Sequence, residues 1–245
     1  MNDLKILLID MELSYATYFK YPTKKPVYDS PDNIIDEQFC VCVAWKWHHE
    51  SSVYSLAVKK PHKDLEIAKK LHKLFDEADV IVAHNGDAFD IKHAHTLFAK
   101  HGLTPVGKKK TIDTLKVARK YFNFSGNSLG KLLRLFNIGD KDEKPDWKLL
   151  TLGDKKEIEK AEKYCRMDVI GLENIFVKLR PFMHDYPTLR AYREVPEQCD
   201  MCGCKTLRNK GVSWRSGNKY VKRIKCLNEE CGYEHKIPVQ VSKGV

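Results

Sequence analysis

In LLIDMELS, residues 7–14, an apolar run acquires two carboxylates, Asp10 and Glu12, with one residue between them. The run reads as a β-strand, whose side chains alternate between faces, so both acids point one way while Met11 and Leu13 point the other. Like charges held that close repel unless a cation lies between them or one carboxyl keeps its proton. A hydrated strand end would avoid the conflict too, so the rest of the chain must discriminate. In AHNGDAFDIKH an apolar strand ends in His84, Asn85 and Gly86 and leads to Asp87, Phe89 and Asp90 where a helical pattern starts. Asp is a common helix cap at such a place, and Phe89 suits a core. In KYCRMDVIGLENIF, Tyr164 and Asp168 stand four residues apart and share a helix face with Leu172 and Ile175. Asp168 therefore interrupts an apolar stripe, where a charge without a partner is costly. Gathered in one place, such acids would bind hard cations through carboxylate oxygens.

A second chemistry sits near the C-terminus. Cys199 and Cys202 form one paired-cysteine knuckle and Cys226 and Cys231 another, with 23 residues between them. Thiolates so spaced can close one tetrahedral Zn²⁺ site, and about 50 residues need such a staple to fold. Cys204 is a poorer ligand candidate, one residue from Cys202, and His235 is expected at the surface because four thiolates already fill the site. Between the knuckles, KTLRNKGVSWRSGNKYVKRIK interleaves basic residues with Trp214 and Tyr220 around an expected turn at SGN. Basic groups suit phosphates and aromatics suit base stacking. The same aromatics could instead cover the metal core, and the ribbon could bind protein.

The elements that must position these groups alternate in type. QFCVCVAWKW and VYSLAV read as strands joined by the polar HHESS, and DVIVAH as a strand buried on both faces. Helical spacing runs through DLEIAKKLHKLFDEA, IKHAHTLFAK, TLKVARKYF and SLGKLLRLF, with a short segment around KKTID. A long helix is expected from near Gly153, capped by Asp154, to Leu179 before Pro181, whereas Tyr15 to Glu37 reads as a loop. This order predicts an α/β domain with a mixed sheet. VPE, at 195–197, marks a boundary between a domain at 1–194 and a second at 195–245.

The composition is globular, with 42% hydrophobic and 31% charged residues, and no apolar run approaches the ~20 residues of a membrane span. The N-terminal residues lack a secretory signal pattern, so an intracellular, cytoplasmic protein is expected. Cys40, Cys42 and Cys165 lie in apolar segments and read as small buried hydrophobes. The net charge of +10 favours a polyanionic partner, and residues 196–245 carry ten Lys or Arg against five acids.

D-x-E on the first strand, N-x3-F-D at a strand-to-helix turn and Y-x3-D on a late helix together resemble the three motifs of the DEDD 3′-5′ exonucleases, in the subclass marked by tyrosine. AWKWHHE, IDTLKVAR, NSLGKLL and DVIGLENIFVKLRP look like segments of phage and prophage exonucleases with a C-terminal zinc ribbon. The resemblance implies a ribonuclease H-like five-stranded fold and two-metal hydrolysis. Asp10, Glu12, Asp90 and Asp168 would hold two Mg²⁺ or Mn²⁺ ions, and Tyr164 would orient the attacking water. The substrate implied is single-stranded or 3′-ended DNA, in a bacterium or a phage-infected host cell, with a replication or repair protein as a further partner of the ribbon. RNA as substrate, or a scaffolding protein with degraded catalysis, are the competing expectations. Leu13 stands where many members have Thr, so a hydroxyl contact to the terminal nucleotide is absent.

Overall fold

The computed structural model describes residues 5–19, 31–48, 50–107, 109–139, 143–183, 198–199, 201–215 and 219–239. It forms two compact units, Met1–Phe176 and Val177–Val245. The expected domain boundary near 194–197 lies outside the described residues, as does the SGN turn. Among the described residues, no helix is long and apolar enough to cross a membrane.

The first unit is built on a mixed sheet. In chain order it contains β1 (Ile6–Leu13), β2 (Thr17–Tyr18), β3 (Ile34–Asp36), β4 (Cys40–Trp47), β5 (Tyr54–Ala57), α1 (Leu65–Glu77), β6 (Val80–Ala83), α2 (Asp90–Lys100), β7 (Lys110–Asp113), α3 (Thr114–Tyr121), α4 (Leu129–Leu135), α5 (Trp147–Thr151) and all but the last turn of α6 (Lys155–Leu179). The five-stranded sheet has the order β5-β4-β1-β6-β7, with β4 antiparallel to both β1 and β5, and β6 parallel to both β1 and β7. This is the ribonuclease H-like arrangement.

The expected hairpin, the doubly buried strand and the long helix are all present. Leu7, Leu8, Ile9 and the four residues of β6 are buried, and α1 buries Ile67, Ala68, Leu71, Leu74 and Phe75 against the sheet side of its stripe. Each such aliphatic side chain contributes ~1.5–3 kcal/mol when removed from water. Asp154 caps α6 as expected, accepting the Glu157 amide at 3.0 Å.

In the first unit the structure departs from the sequence reading in two places. The segment read as a loop contains β2 and β3, paired antiparallel; strands of two and three residues are too short for an alternation to register. The short helix α5 went unread because its five residues hold barely one turn; the Asp146 side chain caps it by accepting the Lys148 and Leu149 amides.

The second unit contains β8 (Leu207–Arg215), β9 (Lys219–Cys226) and β10 (Glu234–Val239), antiparallel in the order β10-β9-β8. The expected β8–β9 hairpin is there, and β10 adds an edge strand that EHKIPV, charged and proline-bearing, does not advertise. His235, expected at the surface, is fully buried: it lies opposite Ile224 on the strand pair and edge-on to Tyr233, 4.9 Å between rings. The side chains of Trp214 and Tyr220 lie outside what the structure describes.

Candidate active site and cysteine cluster

β1 projects past its parallel neighbour. Leu8 pairs with Val82, and β6 stops one residue later at Ala83, so Asp10 and Glu12 stand beyond its carboxyl end. Sites in open α/β sheets lie at that end of the strands. Met11 between them is buried, while both acids are partly accessible. The β1–β4 register slips at this point, with Glu12 opposite Cys42 and Leu13 opposite Cys40. A bulge of this kind bends the strand and re-aims side chains. Leu13, where the motif family often has Thr, is therefore at the irregular end of the ladder.

The turn from β6 to α2 brings in Asp90. Asn85 takes the left-handed conformation, φ 67°. Gly86 serves close approach, since a Cβ there would stand 2.3 Å from that of Ala83. Asp113, at the end of β7, holds this turn from below: its Oδ1 accepts the Asn85 amide at 2.9 Å and also the Leu115 and Lys116 amides at the start of α3. Asp90 opens α2 and is buried, 3% exposed. Asp87 is engaged elsewhere: Lys116 Nζ lies 2.8 Å from its carboxylate. The residue after Phe89, and not Asp87, thus faces inward.

The third contribution comes from α6. Tyr164 and Asp168 are both 5% exposed, on the stripe that continues through the buried Leu172 and Ile175. Cys165, read as a buried hydrophobe, does more: its thiol donates to the Asp10 carbonyl at 3.1 Å and pins α6 to β1. No sequence period could show that contact, because it joins residues 155 positions apart.

Asp10, Glu12 and Asp168 offer carboxylate oxygens that lie within 4.8 Å of one another. Asp90 is outside that set, although its charge acts on Asp10. Burial, then the charges of Glu12, Asp90 and Asp168, raise the Asp10 carboxyl well above the usual range. Burial also raises Asp90 to about 7, helped by Asp113 and opposed by backbone hydrogen bonds from its own amide and Met11. Asp10 Oδ2 and Asp90 Oδ1 are buried and have no hydrogen-bond partner among the described residues. Unpaired oxygens beside mutually repelling acids fit a divalent cation of the Mg²⁺ type, which prefers oxygen ligands.

In the second unit, Cys199, Cys202, Cys226 and Cys231 bring their sulfurs within 4.8 Å of one another. The Cys199–Cys231 pair is 3.8 Å apart and the Cys202–Cys226 pair 3.6 Å. Four thiolates around Zn²⁺ at ~2.3 Å stand about 3.8 Å apart in a tetrahedron, so the cluster has the size of a zinc site. A hydrogen bond from Cys199 holds Cys231 down at about 5, the thiolate form a metal needs. Cys204 stays out of the group, its sulfur accepting the Thr206 amide at 3.4 Å. Each knuckle closes with a left-handed glycine, Gly203 at φ 71° and Gly232 at φ 55°. A glycine directly after the second cysteine of each pair is the sequence signal that marks these turns.

Residues 32–180 match the RNase_H_2 family, described as RNase_H superfamily. The matched span contains Asp90, Tyr164 and Asp168 and begins after Asp10 and Glu12. Over 117 residues the chain is 30% identical to the DNA polymerase III PolC-type of Ureaplasma parvum serovar 3, which covers 46% of this chain and 8% of that protein. The family B DNA polymerase of the hyperthermophilic archaeon Pyrobaculum calidifontis is similar in structure, with a TM-score of 0.56 at 16% identity over 74% of this chain and 25% of that one. That second likeness is one of fold, and the chain spans only a small part of either polymerase. Family match, sheet order and the acids at the strand ends agree: the chain belongs to the RNase H superfamily.

Proposed function

We propose that this chain is a metal-dependent 3′-5′ exonuclease acting on DNA, with the hydrolytic site in residues 1–194 and a zinc ribbon in 195–245. The observation that carries the reading is the convergence of carboxylate oxygens of Asp10, Glu12 and Asp168 within 4.8 Å, with buried oxygens on Asp10 and Asp90 that have no hydrogen-bond partner among the described residues. These four acids would hold two Mg²⁺ or Mn²⁺ ions. Bound there, such cations would supply electrostatic stabilisation of the charge that develops in phosphoryl transfer. Tyr164, one helical turn from Asp168, orients a water on the scissile phosphate and keeps its lone pair in line with the leaving O3′. The water oxygen–phosphorus bond forms, the bond to the penultimate O3′ breaks, and a nucleoside 5′-monophosphate leaves. Tyr164 and Asp168 lie on the buried stripe of α6 that continues through Leu172 and Ile175, and burial of this kind restricts the positions a reacting group can take. DNA is the preferred substrate because the relative found by sequence is named a DNA polymerase. Cys199, Cys202, Cys226 and Cys231 would bind one structural Zn²⁺.

The test is incubation of purified protein with end-labelled single-stranded DNA and RNA, with Mg²⁺, Mn²⁺ or EDTA. Expected is metal-dependent shortening from the 3′ end, faster on DNA, that disappears in Asp10→Ala and Asp168→Ala. Equal activity in those variants would overturn the assignment.

A further inference from the structure

AWKWHHE puts two indoles on β4, Trp45 and Trp47, that the hydrolytic site does not use. Trp45 lies opposite Ile9 of β1 and Trp47 opposite Leu7, whereas Asp10 lies opposite Ala44. Directly opposed residues share a face and successive residues alternate, so both indoles stand on the sheet face turned away from Asp10 and Glu12. Tyr54 of β5, opposite Trp45, stacks on it with ring centroids 5.8 Å apart and planes 19° apart. The helix α1 packs on this face and lines it with Lys70, Lys73 and Glu77, which share one helix side with the buried Leu74. Glu50, just past β4, completes an open cleft of about 290 Å³. Lys70 Nζ stands 5.1 Å from the ring centroid of Trp45, and Lys5 Nζ 5.9 Å from that of Trp47. Lys73 and Glu77 are 3.9 Å apart.

An aromatic pair across two strands can serve the sheet alone. This cluster differs from a packing pair in what it leaves open and in what surrounds it. Tyr54 keeps 45% of its surface exposed and Trp47 is partly exposed, and the same small cleft holds both ammonium and carboxylate groups. Aromatic rings stack a flat heterocycle, ammonium groups attract a phosphate, and a carboxylate accepts an exocyclic amine, as it does from cytosine. A purely anionic ligand would meet Glu50 and Glu77, and a purely cationic one Lys70 and Lys73, whereas a nucleotide uses both signs. We propose that this cleft is a second nucleotide-binding site, across the sheet from the acids. It stacks one base against Trp47 and Tyr54, holds the phosphate at Lys70 and Lys73, and prefers bases that carry an amino group. Its volume lies at the lower end of small-ligand sites, ~300–1,000 Å³, which suits one nucleotide unit, free or part of a strand. The inference does not rest on the nuclease reading, because the chemistry of the cleft alone selects the ligand.

The experiment titrates the full chain with dAMP, dCMP, dTMP and deoxyadenosine without added Mg²⁺ or Mn²⁺, followed by calorimetry and by tryptophan fluorescence, to which Trp45 and Trp47 contribute two of four indoles. The nucleotides dAMP and dCMP should saturate and bind at least ~5-fold more tightly than dTMP, which has no amino group for a carboxylate to accept. Tyr54→Ala and Trp47→Leu should each weaken dAMP at least ~10-fold through loss of a stacking surface. The double variant Lys70→Gln/Lys73→Gln should bring dAMP down to the affinity of deoxyadenosine and leave deoxyadenosine itself unmoved, a split that loss of structure would not give. Tyr54, Lys70 and Lys73 are exposed, so these variants keep the fold, and the Tm of each checks it. Competition by a single-stranded oligodeoxynucleotide separates the two sources: displaced dAMP assigns the cleft to a unit of a strand, retained dAMP to a free mononucleotide, and each supports the site. Absence of saturable dAMP binding, or equal affinity in wild type, Tyr54→Ala and the double lysine variant, would overturn the proposal. So would tighter binding of an acetylated trimethyllysine amide than of dAMP, which would make the rings a cage for a cation. Hydrolysis does not enter the readout, so the result stands whether or not the chain cleaves DNA.

Discussion

The Asp113 carboxylate accepts the backbone amide of Asn85 at 2.9 Å, and the same oxygen caps α3. One side chain at the end of β7 thus fixes both the start of α3 and the left-handed turn that delivers Asp90. Asp113 is 4% exposed, so the amides it serves have no water to replace it. Asp113→Ala should destabilise the chain by ~2–3 kcal/mol, combining a lost cap with a buried unsatisfied amide. Hydrolysis should fall at least ~10-fold because Asp90 is no longer held in register. Asp113→Asn keeps one oxygen acceptor and should recover most of both. Denaturant unfolding and turnover on single-stranded DNA, measured for both variants, check this; equal behaviour of Ala and Asn would contradict it.

How much of this was legible depends on where each signal resides. Asp10, Glu12, Asp90 and Asp168 could be picked out because each breaks a local pattern: an acid in an apolar strand, at a strand-to-helix turn, or in a helix stripe. The sheet order places the ends of β1 and β6 side by side, and with them Asp10, Glu12 and the turn that leads to Asp90, while α6 supplies Asp168. Asp113 could not be picked out. An Asp before a helix reads as a cap and nothing more, and its bonds to the Asn85 turn exist only once β6 and β7 are neighbours. Cys165 and the bulge at Glu12/Leu13 are likewise tertiary facts without a sequence period. His235 was misplaced because ligand counting at the cysteines says nothing about burial on the far strand.

The acid cluster should cost stability whenever no cation is bound. Asp10 is held above its ordinary range by burial and by Glu12, Asp90 and Asp168. A carboxyl raised in the folded state contributes stability below its unfolded pKa and loses it as pH rises through the folded value. Asp10→Asn should therefore stabilise the metal-free protein at neutral pH by on the order of 1 kcal/mol, ~2–4 °C in Tm for a chain of this size, while abolishing hydrolysis. Mg²⁺ should raise the Tm of wild type and leave the variant nearly unmoved. Calorimetry with and without Mg²⁺ decides; a variant less stable than wild type without metal would be the wrong sign.

Tyr164 is buried on α6, one helical turn before Asp168. Tyr164→Phe preserves the ring and its packing, so stability should change by less than ~1 kcal/mol. Turnover should drop by ~10–100-fold, as expected for loss of a group that orients water or moves a proton, and Mn²⁺ binding followed by titration calorimetry should keep its affinity. Unchanged turnover would remove the hydroxyl from the reaction.

Metal analysis of the purified chain should find one zinc, lost in Cys199→Ser and retained in Cys204→Ser, because only Cys199 belongs to the four-sulfur cluster. Removing a structural zinc forfeits the folding free energy its binding supplies. In Cys199→Ser the β8–β10 amides should then lose protection from hydrogen exchange while the β1 and β6 amides keep theirs. Zinc retention in Cys199→Ser would exclude that residue as a ligand.

Asp64 supplies the pH dependence that is independent of any metal. Its side chain is fully buried, where it accepts the Cys40 amide and pairs with His101 at 2.7 Å and Lys100 at 3.1 Å. Burial alone would raise this carboxyl, but the hydrogen bonds from His101, Cys40 and Lys100 outweigh it and hold the group below its ordinary value. A depressed carboxylate stabilises the fold above its unfolded pKa of ~3.9 and loses that contribution as pH falls through the folded value. Asp64→Asn should thus cost ~2 kcal/mol at pH 7, less than a fully buried ion pair because Lys100 remains partly solvated. The gap between wild type and variant should stay constant down to about pH 5 and close below about pH 4. Urea unfolding at a series of pH values measures it directly, and a gap that widens on acidification would show that the His101 and Lys100 contacts do not stabilise the ionised form.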